Sequence, residues 1–385
     1  MAKRQLKGCG CVGAILVVLL GVAGIAAWKF VLPWWKTKPP AASGGELQVH
    51  VLDVGPIDGD SILIISPTGK AILIDAGDAG KGKVVLDALK RYNVTQLDYF
   101  IASHPHPDHL GGADEVFKAT KVLNVIDTGL DPDVPESMSA QTKAPVAGTG
   151  KKSARPAKPV VNKGDKSGAI TKFFTEYKDA LTQSGAHYEK AVPGTKYDLG
   201  GGALLTILAP TEPYFTKEQT KTGGNPANAN SLVARLDYGD FSLLLPGDAE
   251  EQTEHRLLTK DANLAVKILK VAHHGSKYAT TQDLVNRAKP EVAIISCGEW
   301  NRYGHPAQLV LDRLRAANVK LYRTDLQGEI TITTKGKAGD YVVKAAKEAK
   351  TDIWAGRQGQ KDDSSRSGFI AYGDFGPPPK AKTGK

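Results

Sequence analysis

Residues 101–112 read Ile-Ala-Ser-His-Pro-His-Pro-Asp-His-Leu-Gly-Gly, a short apolar run that ends in three histidines and one aspartate. The chain has nine histidines in all, so a third of them lie in this one loop. Imidazole nitrogens and a carboxylate suit zinc, manganese or iron, and such a cluster after a strand can supply two ions. We expect His104 and His106 to face one ion, and Asp108 and His109 to face a second. A merely polar loop is the alternative, and the prolines that stiffen this segment argue against it.

The composition allows one large or two ordinary globular domains. The chain has 385 residues, 41% of them hydrophobic, and a formal net charge of +9. Much of the positive excess lies between Lys143 and Lys166, in a stretch otherwise made of Pro, Ala, Gly, Ser and Val. Such a composition cannot bury a core, so we predict a disordered insertion over residues 131–168. An electrostatic arm for phosphate polymers or anionic lipids is a weaker interpretation.

The N-terminus predicts a membrane anchor. Residues 8–28 form an uncharged, mostly apolar run that follows three basic residues and ends near a group of tryptophans. This length is close to the ~20 residues that span a bilayer, with an aromatic belt at one interface. A cleaved signal peptide has a similar outline, but we favour an uncleaved helix, with residues 1–45 as anchor and linker. The basic residues before the run favour a membrane-anchored domain that lies outside the cytoplasm.

Between residues 46 and 345 the pattern alternates between strands and helices in both halves of the chain. Apolar runs predict strands at 47–54, 61–66, 71–75 and 97–102. Helical spacing of apolar residues recurs at 84–92, 170–183, 250–258 and 309–317. Two sheets packed face to face with helices outside is the layered arrangement that we expect. Past Thr351 the periodicity is gone, and we assign 346–385 to a disordered tail.

Two later segments offer further ligands at strand ends. Asp248 directly follows an apolar run, where a carboxylate that bridges two ions would lie; a helix N-cap is the alternative for it. His273 and His274 follow another apolar run and precede a glycine, which lets side chains point into a cleft. A core histidine is the alternative for one of this pair. The residues alone do not decide which of the two is a ligand.

These segments together resemble the metallo-β-lactamase superfamily and, within it, the hydrolase domain of the competence protein ComEC family. The resemblance covers about Glu46 to Thr334 and rests on motifs that occur in the family's order. They are Leu52-Asp53-Val54-Gly55, Gly59-Asp60-Ser61, Leu73-Ile74-Asp75-Ala76-Gly77, the loop 103–112, Asn230-Ser231-Leu232-Val233, Pro246-Gly247-Asp248-Ala249-Glu250, His273-His274-Gly275-Ser276, Asn301-Arg302-Tyr303-Gly304-His305-Pro306 and Tyr322-Arg323-Thr324-Asp325. The resemblance implies an α/β fold, an αββα sandwich over residues 46–345 that follows the N-terminal membrane helix.

The resemblance also implies roles for individual residues. The implied metal ligands are His104, His106, Asp108, His109, Asp248, and His273 or His274. Asp75 would steady the histidine loop, with Asp60 and Asn230 as further supports. Asp108 and His305 are the candidate catalytic residues, His305 as an acid or a phosphate contact, although a loop histidine beside a helix start is an equal alternative for it. The implied cofactors are two divalent metal ions, zinc or manganese.

Two departures from the family pattern affect these expectations. Many members of the superfamily complete the shell of the first ion with one more histidine, but the only histidine between the loop and Asp248 is His187, which matches no motif. Asn228 and Asn230 lie in that interval instead. We therefore expect the first ion to be loosely held by amide, water or substrate oxygens, which makes manganese an option beside zinc. The turn at 55–59 is also longer than the family usually has.

The expected function is metal-dependent hydrolysis, most simply of a phosphodiester such as DNA, through a hydroxide that bridges two ions. One alternative is a hydrolase of another small or cell-wall ester such as phosphorylcholine. Another is a nucleic-acid-binding module that kept the fold. The expected partners are the membrane and a phosphodiester or nucleic-acid substrate, and no sequence pattern indicates a stable protein partner.

Overall fold

Fifteen strands are present in the part of the chain that this computed structural model describes, which comprises residues 45–55, 58–132, 167–220, 225–301 and 303–357. Those in the first half are β1 (Leu47–Val51), β2 (Ile62–Ile65), β3 (Ala71–Ile74), β4 (Gln96–Ile101), β5 (Lys121–Asp127), β6 (His187–Lys190) and β7 (Lys196–Gly200). Those in the second half are β8 (Ala203–Ala209), β9 (Val233–Tyr238), β10 (Phe241–Leu245), β11 (Ile268–Lys270), β12 (Val292–Ile295), β13 (Lys320–Arg323), β14 (Ile330–Thr334) and β15 (Val342–Ala345).

The strands form two mixed sheets. One has eight strands in the order β15-β14-β1-β2-β3-β4-β5-β6, and the other has seven in the order β13-β12-β11-β10-β9-β8-β7. In each sheet an antiparallel part adjoins a parallel part, which runs from β3 to β6 in the first and from β10 to β13 in the second. β9 and β10 form an antiparallel hairpin, in which Phe241 pairs with Tyr238 at the turn.

The helices connect these strands. They are α1 (Gly82–Arg91), α2 (Pro107–Leu110), α3 (Ala113–Ala119), α4 (Ser167–Ser184), α5 (Pro226–Ala229), α6 (Glu251–Thr259), α7 (Gln282–Ala288), α8 (Gln308–Ala316) and α9 (Thr324–Gln327), with a 3₁₀ turn at Ala272–Gly275.

The strands alternate side chains between two apolar layers. In β2, Ile62 and Ile64 face the other sheet, whereas Leu63 between them faces α1, α3 and α4. A third apolar layer packs the second sheet against α7 and α8. Because both faces of each sheet are covered, the central strands read as continuous apolar runs, and each fully buried aliphatic side chain contributes about 1.5–3 kcal/mol. The layers run helix, sheet, sheet, helix, as the sequence predicts.

Three predicted segments lie partly or wholly outside the described residues. The predicted membrane helix lies wholly outside them, and no helix in the described ranges is long and apolar enough to cross a bilayer. Of the predicted insertion, residues 133–166 lie outside, and Ser167 begins α4. The predicted tail begins too early, because residues up to 357 pack on the domain: Arg323 donates hydrogen bonds to the carbonyls of Ile353 and Ala355.

Candidate metal centre

The histidine loop lies where the parallel strands of the first sheet end. After β4 the chain coils into α2, in which the carbonyl of His106 accepts hydrogen bonds from the amides of His109 and Leu110. Asp108 and His109 lie within this helix, whereas His104 and His106 precede it. A Cβ on Gly112 would lie 2.4 Å from the carbonyl oxygen of Ala76, so only glycine allows the loop to pack this closely on the end of β3.

Asp248 and the histidine pair approach from the second sheet. Asp248 follows β10, and His273 and His274 follow β11, which is parallel to β10. Gly247 has φ +55°, and a Cβ there would lie 2.9 Å from the Cβ of Ser103, so the two sheets meet directly behind the site. The structure therefore brings the candidate ligands together at one edge, between the sheets.

Four residues converge most closely, and we call them the four-ligand pocket: Asp108, His109, Asp248 and His274. His109 Nε2 lies 3.3 Å from Asp248 Oδ1, and His274 Nε2 lies 3.3 Å from Asp108 Oδ2. His274 Nε2 is also 3.6 Å from Asp248 Oδ2. Of the histidine pair, His274 is thus the one that joins this group.

The geometry of the four-ligand pocket fits a metal ion. Ligand atoms about 2.1 Å from one tetrahedral ion lie roughly 3.4 Å from one another, which is close to the distances above. His109 Nε2, His274 Nε2 and Asp248 Oδ1 are buried and have no well-formed hydrogen bond to any described residue. Leaving such an atom unpaired costs about 1–3 kcal/mol, and an ion would satisfy all three. Two imidazoles and two carboxylates form a donor set for zinc, manganese or iron.

Each imidazole of this pocket is fixed from its far side. His109 Nδ1 donates to Asp75 Oδ2 at 2.7 Å, and His274 Nδ1 donates to the carbonyl of Ser296 at 2.9 Å. Asp75 also accepts hydrogen bonds of 2.7 Å from the backbone amide and the hydroxyl of Ser103. These bonds select the tautomers whose Nε2 lone pairs face the pocket. Asp75 therefore lies behind the histidine loop.

A buried ion pair lies beneath the pocket. The Lys270 ammonium contacts Asp60 Oδ2, and Asp60 Oδ1 lies 3.5 Å from His274 Nδ1. Both side chains are about 1–2% exposed. Burial alone would raise the pKa of Asp60, but Lys270 and His274 outweigh it and hold that pKa well below its ordinary value. Lys270, which sequence reasoning missed, is thus a fixed cation among the carboxylates of the site.

The other two histidines form a looser group with the same aspartate, which we call the two-histidine pocket: His104, His106 and Asp248. His104 Nε2 lies 3.0 Å from His106 Nδ1 and 3.7 Å from Asp248 Oδ2. His104 Nδ1 donates to the Ser103 hydroxyl at 3.0 Å. His104 is buried and His106 is partly exposed. Burial, followed by the charge of neighbouring imidazoles, lowers the pKa of His104, so this ring is neutral and able to bind metal.

His273 lies beside the two-histidine pocket. Its Nε2 is 3.6 Å from Asp248 Oδ2 and accepts a hydrogen bond of 3.2 Å from the Asn228 side-chain amide. Its Nδ1 is 3.6 Å from Glu250, and burial raises the pKa of Glu250 to about 8. His273 and His274 both have positive φ, 49° and 52°, a backbone that costs energy outside glycine and turns the two rings apart.

The remaining predicted residues lie at different distances from the four-ligand pocket. His305 Nδ1 donates to Asp58 Oδ2 at 3.0 Å, and its ring is nearly parallel to that of His274, with centroids 6.0 Å apart.

Asn230 was expected to support the ligands, but its side-chain amide is hydrogen-bonded to the backbone N–H and C=O of Phe215. Ser231, one residue on, accepts a hydrogen bond from the amide of Asp248 instead. His187 is exposed and pairs with Glu189.

Sequence reasoning missed several partners of the site, namely Asp58, Ser103, Ser231, Glu250 and Lys270. Four of these lie inside quoted motifs or next to one. A charged residue inside an apolar run, such as Lys270 in β11, was a usable signal, because lysine is almost never fully buried without a partner.

This combination of fold and site matches a known family. The model of the metallo-beta-lactamase superfamily matches residues 54–207, which include the histidine loop. The chain belongs to the metallo-beta-lactamase superfamily, and its curated relatives are of the ComEC type, as the sequence motifs predict.

Two of those relatives define the resemblance further. The chain is 28% identical over 330 residues to ComE operon protein 3 of Bacillus subtilis, covering 79% of this chain and 35% of that protein. It is 38% identical over 321 residues to competence protein ComA of Neisseria gonorrhoeae, covering 82% and 37%. The chain thus spans about a third of the length of these relatives. Among solved structures, the metallo-beta-lactamase fold protein YhfI from Bacillus subtilis is similar, at 12% identity and a TM-score of 0.41, over 72% of this chain and 95% of that one.

Proposed function

We propose that this chain is a metal-dependent hydrolase of a phosphodiester, that it holds two divalent ions, zinc or manganese, and that nucleic acid is its substrate. The observation that carries the proposal is the four-ligand pocket, in which imidazole Nε2 atoms and carboxylate oxygens face one another at 3.3–3.6 Å. Membership of the superfamily supports the hydrolase class. The name of one relative, which refers to competence, supports nucleic acid as the substrate.

The charges around the site support a cationic cofactor. Four carboxylates converge there: Asp60, Asp75, Asp108 and Asp248. Lys270 offsets one of them. Burying the remaining negative charge without compensation would cost several kcal/mol per ion, so divalent cations suit this position.

Each residue then has a distinct role. The four-ligand pocket and the two-histidine pocket would each hold a divalent ion, and such ions would supply an activated water and offset charge on the attacked phosphate. Asp248 joins the pockets, because Oδ1 faces His109 while Oδ2 faces His104 and His274. Asp108 is partly exposed and faces the cleft, where it orients the attacking water. We assign His305 to the leaving oxygen or a phosphate oxygen, because its bond to Asp58 directs Nε2 away from that carboxylate.

We retain membrane anchoring as part of the proposal. It rests on the apolar run over residues 8–28 and the basic residues before it. An exported, anchored hydrolase would meet its substrate outside the cytoplasm. Protease accessibility of the domain in intact cells tests this orientation, and protection of the domain there would contradict it.

Hydrolysis by the detergent-solubilised full chain tests the central proposal. The chain is stripped with a chelator, reloaded with Mn²⁺ or Zn²⁺, and given a labelled single-stranded oligonucleotide and bis-p-nitrophenyl phosphate. We expect metal-dependent cleavage, and a kcat lowered by at least about 10²-fold in Asp108→Asn. Asp240→Asn is the matched control, an exposed carboxylate in the turn before β10.

Two results would overturn this proposal. The first is the absence of phosphodiester cleavage with either metal. The second is tight, salt-dependent DNA binding by a chain that contains no metal, which would favour a nucleic-acid-binding module.

A further inference from the structure

The loop that carries His305 is fixed at both ends by one buried carboxylate. Asp58 Oδ1 accepts a hydrogen bond from the amide of Gly298 at 3.0 Å, and Asp58 Oδ2 accepts one from His305 Nδ1 at 3.0 Å. Asn301 spans the same two ends: its amide donates to the carbonyls of Gly298 and His305 at 2.8 and 2.7 Å. We call residues 298–301 and 303–305 the aromatic loop.

The aromatic loop presents two aromatic side chains to solvent. Trp300 is 74% exposed and Tyr303 is 44% exposed. Of the large hydrophobic side chains that are exposed in the described ranges, these are the two aromatic ones. Keeping such rings in water forgoes part of the free energy of burying them, on a loop whose two ends are fixed by hydrogen bonds. This arrangement is typical of a ligand contact.

One of these rings is connected to the metal centre by stacking. The Tyr303 and His305 rings are 5.7 Å apart and 23° from parallel. The His305 and His274 rings are 6.0 Å apart and 27° from parallel. Three nearly parallel rings therefore lead outward from the four-ligand pocket to the surface. A flat group attached to a phosphate in that pocket would meet the outer end of this stack.

We propose that the aromatic loop binds an unpaired nucleobase next to the scissile phosphate, so that the substrate is a single-stranded nucleic acid. This inference rests on the proposed phosphodiesterase function. A nucleobase is one sugar away from its phosphate and offers a flat π face, whereas in a duplex both faces are already covered by neighbouring bases. Stacking of this kind tolerates any base, because every base has a π face.

The test compares strands with and without bases. The full chain with Mn²⁺ is given oligo-dT and an abasic strand of the same length, which keeps every phosphodiester. We expect the KM for oligo-dT to be about tenfold lower than for the abasic strand, since each base stack contributes about 1–3 kcal/mol. In the double variant Trp300→Ala/Tyr303→Ala the ratio of these two KM values falls to near one. Leu309→Ala, a change of an exposed side chain in α8, retains the preference.

A binding measurement complements the kinetics. Oligo-dT should quench part of the tryptophan fluorescence of the wild-type chain. In Trp300→Phe this quenching should be lost, while most of the KM preference for oligo-dT is kept. Equal KM values for the two strands, or cleavage of duplex as fast as single strands, would overturn the inference and leave the hydrolase proposal intact. Failure to cleave either strand with any metal would instead overturn the proposed function.

Discussion

The two groups of candidate metal ligands at this site share Asp248 but differ in how completely the fold prepares them. In the four-ligand pocket, His109 is held by Asp75, and His274 by the carbonyl of Ser296. In the two-histidine pocket, His106 is partly exposed, and a third nitrogen, from His273, lies beside Asp248 but is hydrogen-bonded to Asn228. The first pocket is shaped before an ion binds, whereas the second leaves coordination positions for water or substrate.

The difference also appears in protonation. Burial alone would lower the pKa of His109, but Asp248 and Asp75 outweigh it and raise that pKa well above its ordinary value. In the two-histidine pocket, burial lowers the pKa of both His104 and His106. The neighbouring carboxylates thus outweigh burial at His109, whereas burial outweighs them at His104 and His106. We infer that an ion gains more Coulombic stabilisation in the four-ligand pocket and binds there first.

The largest effect is expected from Asp248→Asn, because this carboxylate serves both pockets. Metal content should fall from about two ions per chain to below one, and phosphodiesterase activity should be lost. Elemental analysis of the purified chain measures this. Asp240→Asn is the matched control, and full metal content in Asp248→Asn would refute a shared ligand.

Separating the two pockets gives the next largest effect. His109→Ala should weaken binding of the more tightly held ion by more than the 10- to 100-fold that loss of a supporting partner costs. His104→Ala should leave that ion bound and weaken binding of the other ion. Competition titrations with a fluorescent chelator distinguish the dissociation constants of the two ions. His187→Ala controls for loss of an exposed histidine. Equal effects of the two alanine variants on both constants would contradict the distinction.

The buried ion pair tests how far the pocket depends on its surroundings. Lys270→Met leaves Asp60 buried without its lysine, so we expect a loss of about 3–5 kcal/mol in the free energy of unfolding. Lys270→Met/Asp60→Asn should recover most of that stability, yet bind the tighter ion about tenfold more weakly than the wild type. Denaturant unfolding and chelator competition measure the two quantities. Wild-type metal affinity in the double variant would show that the pair only stabilises the fold.

The smallest predicted effect is a difference in pH dependence between the two ions. Because the pKa of His109 and that of His274 are raised, an ion entering their pocket must displace protons, and its apparent affinity should rise as pH rises through neutrality, by up to about tenfold per pH unit for each proton. The looser ion should change little over that range, because its imidazoles are already neutral. Calorimetry in two buffers of different ionisation enthalpy measures the protons released, and no release at pH 7 would contradict the prediction.

The sequence predicted the parts of this site that are local in the chain. The histidine loop, Asp248 after β10 and the histidine pair after β11 each follow an apolar run that could be recognised as a strand. Parallel strands within each sheet place such ends at one edge, so the convergence was predictable. The choice between His273 and His274 was not, because it depends on a left-handed backbone that turns the two rings apart.

Contacts between distant segments were the other limit. Lys270 and Asp60 are 210 residues apart, and Asp58 and His305 are 247 apart, so no spacing rule pairs them. Asn230 was predicted to support the ligands because of its motif, but its amide is used to hold Phe215. A motif identifies that a residue matters, while its partner is decided by packing.

Crystals of the chain soaked with one equivalent of Mn²⁺ or Zn²⁺ test the central claim most directly. An anomalous difference map locates the ion without reference to activity. We predict one dominant peak among Asp108 Oδ2, His109 Nε2, Asp248 and His274 Nε2, with a second peak between His104 and His106 appearing only at excess metal. Equal peaks at one equivalent, or a first peak beside His104 and His106, would contradict the account.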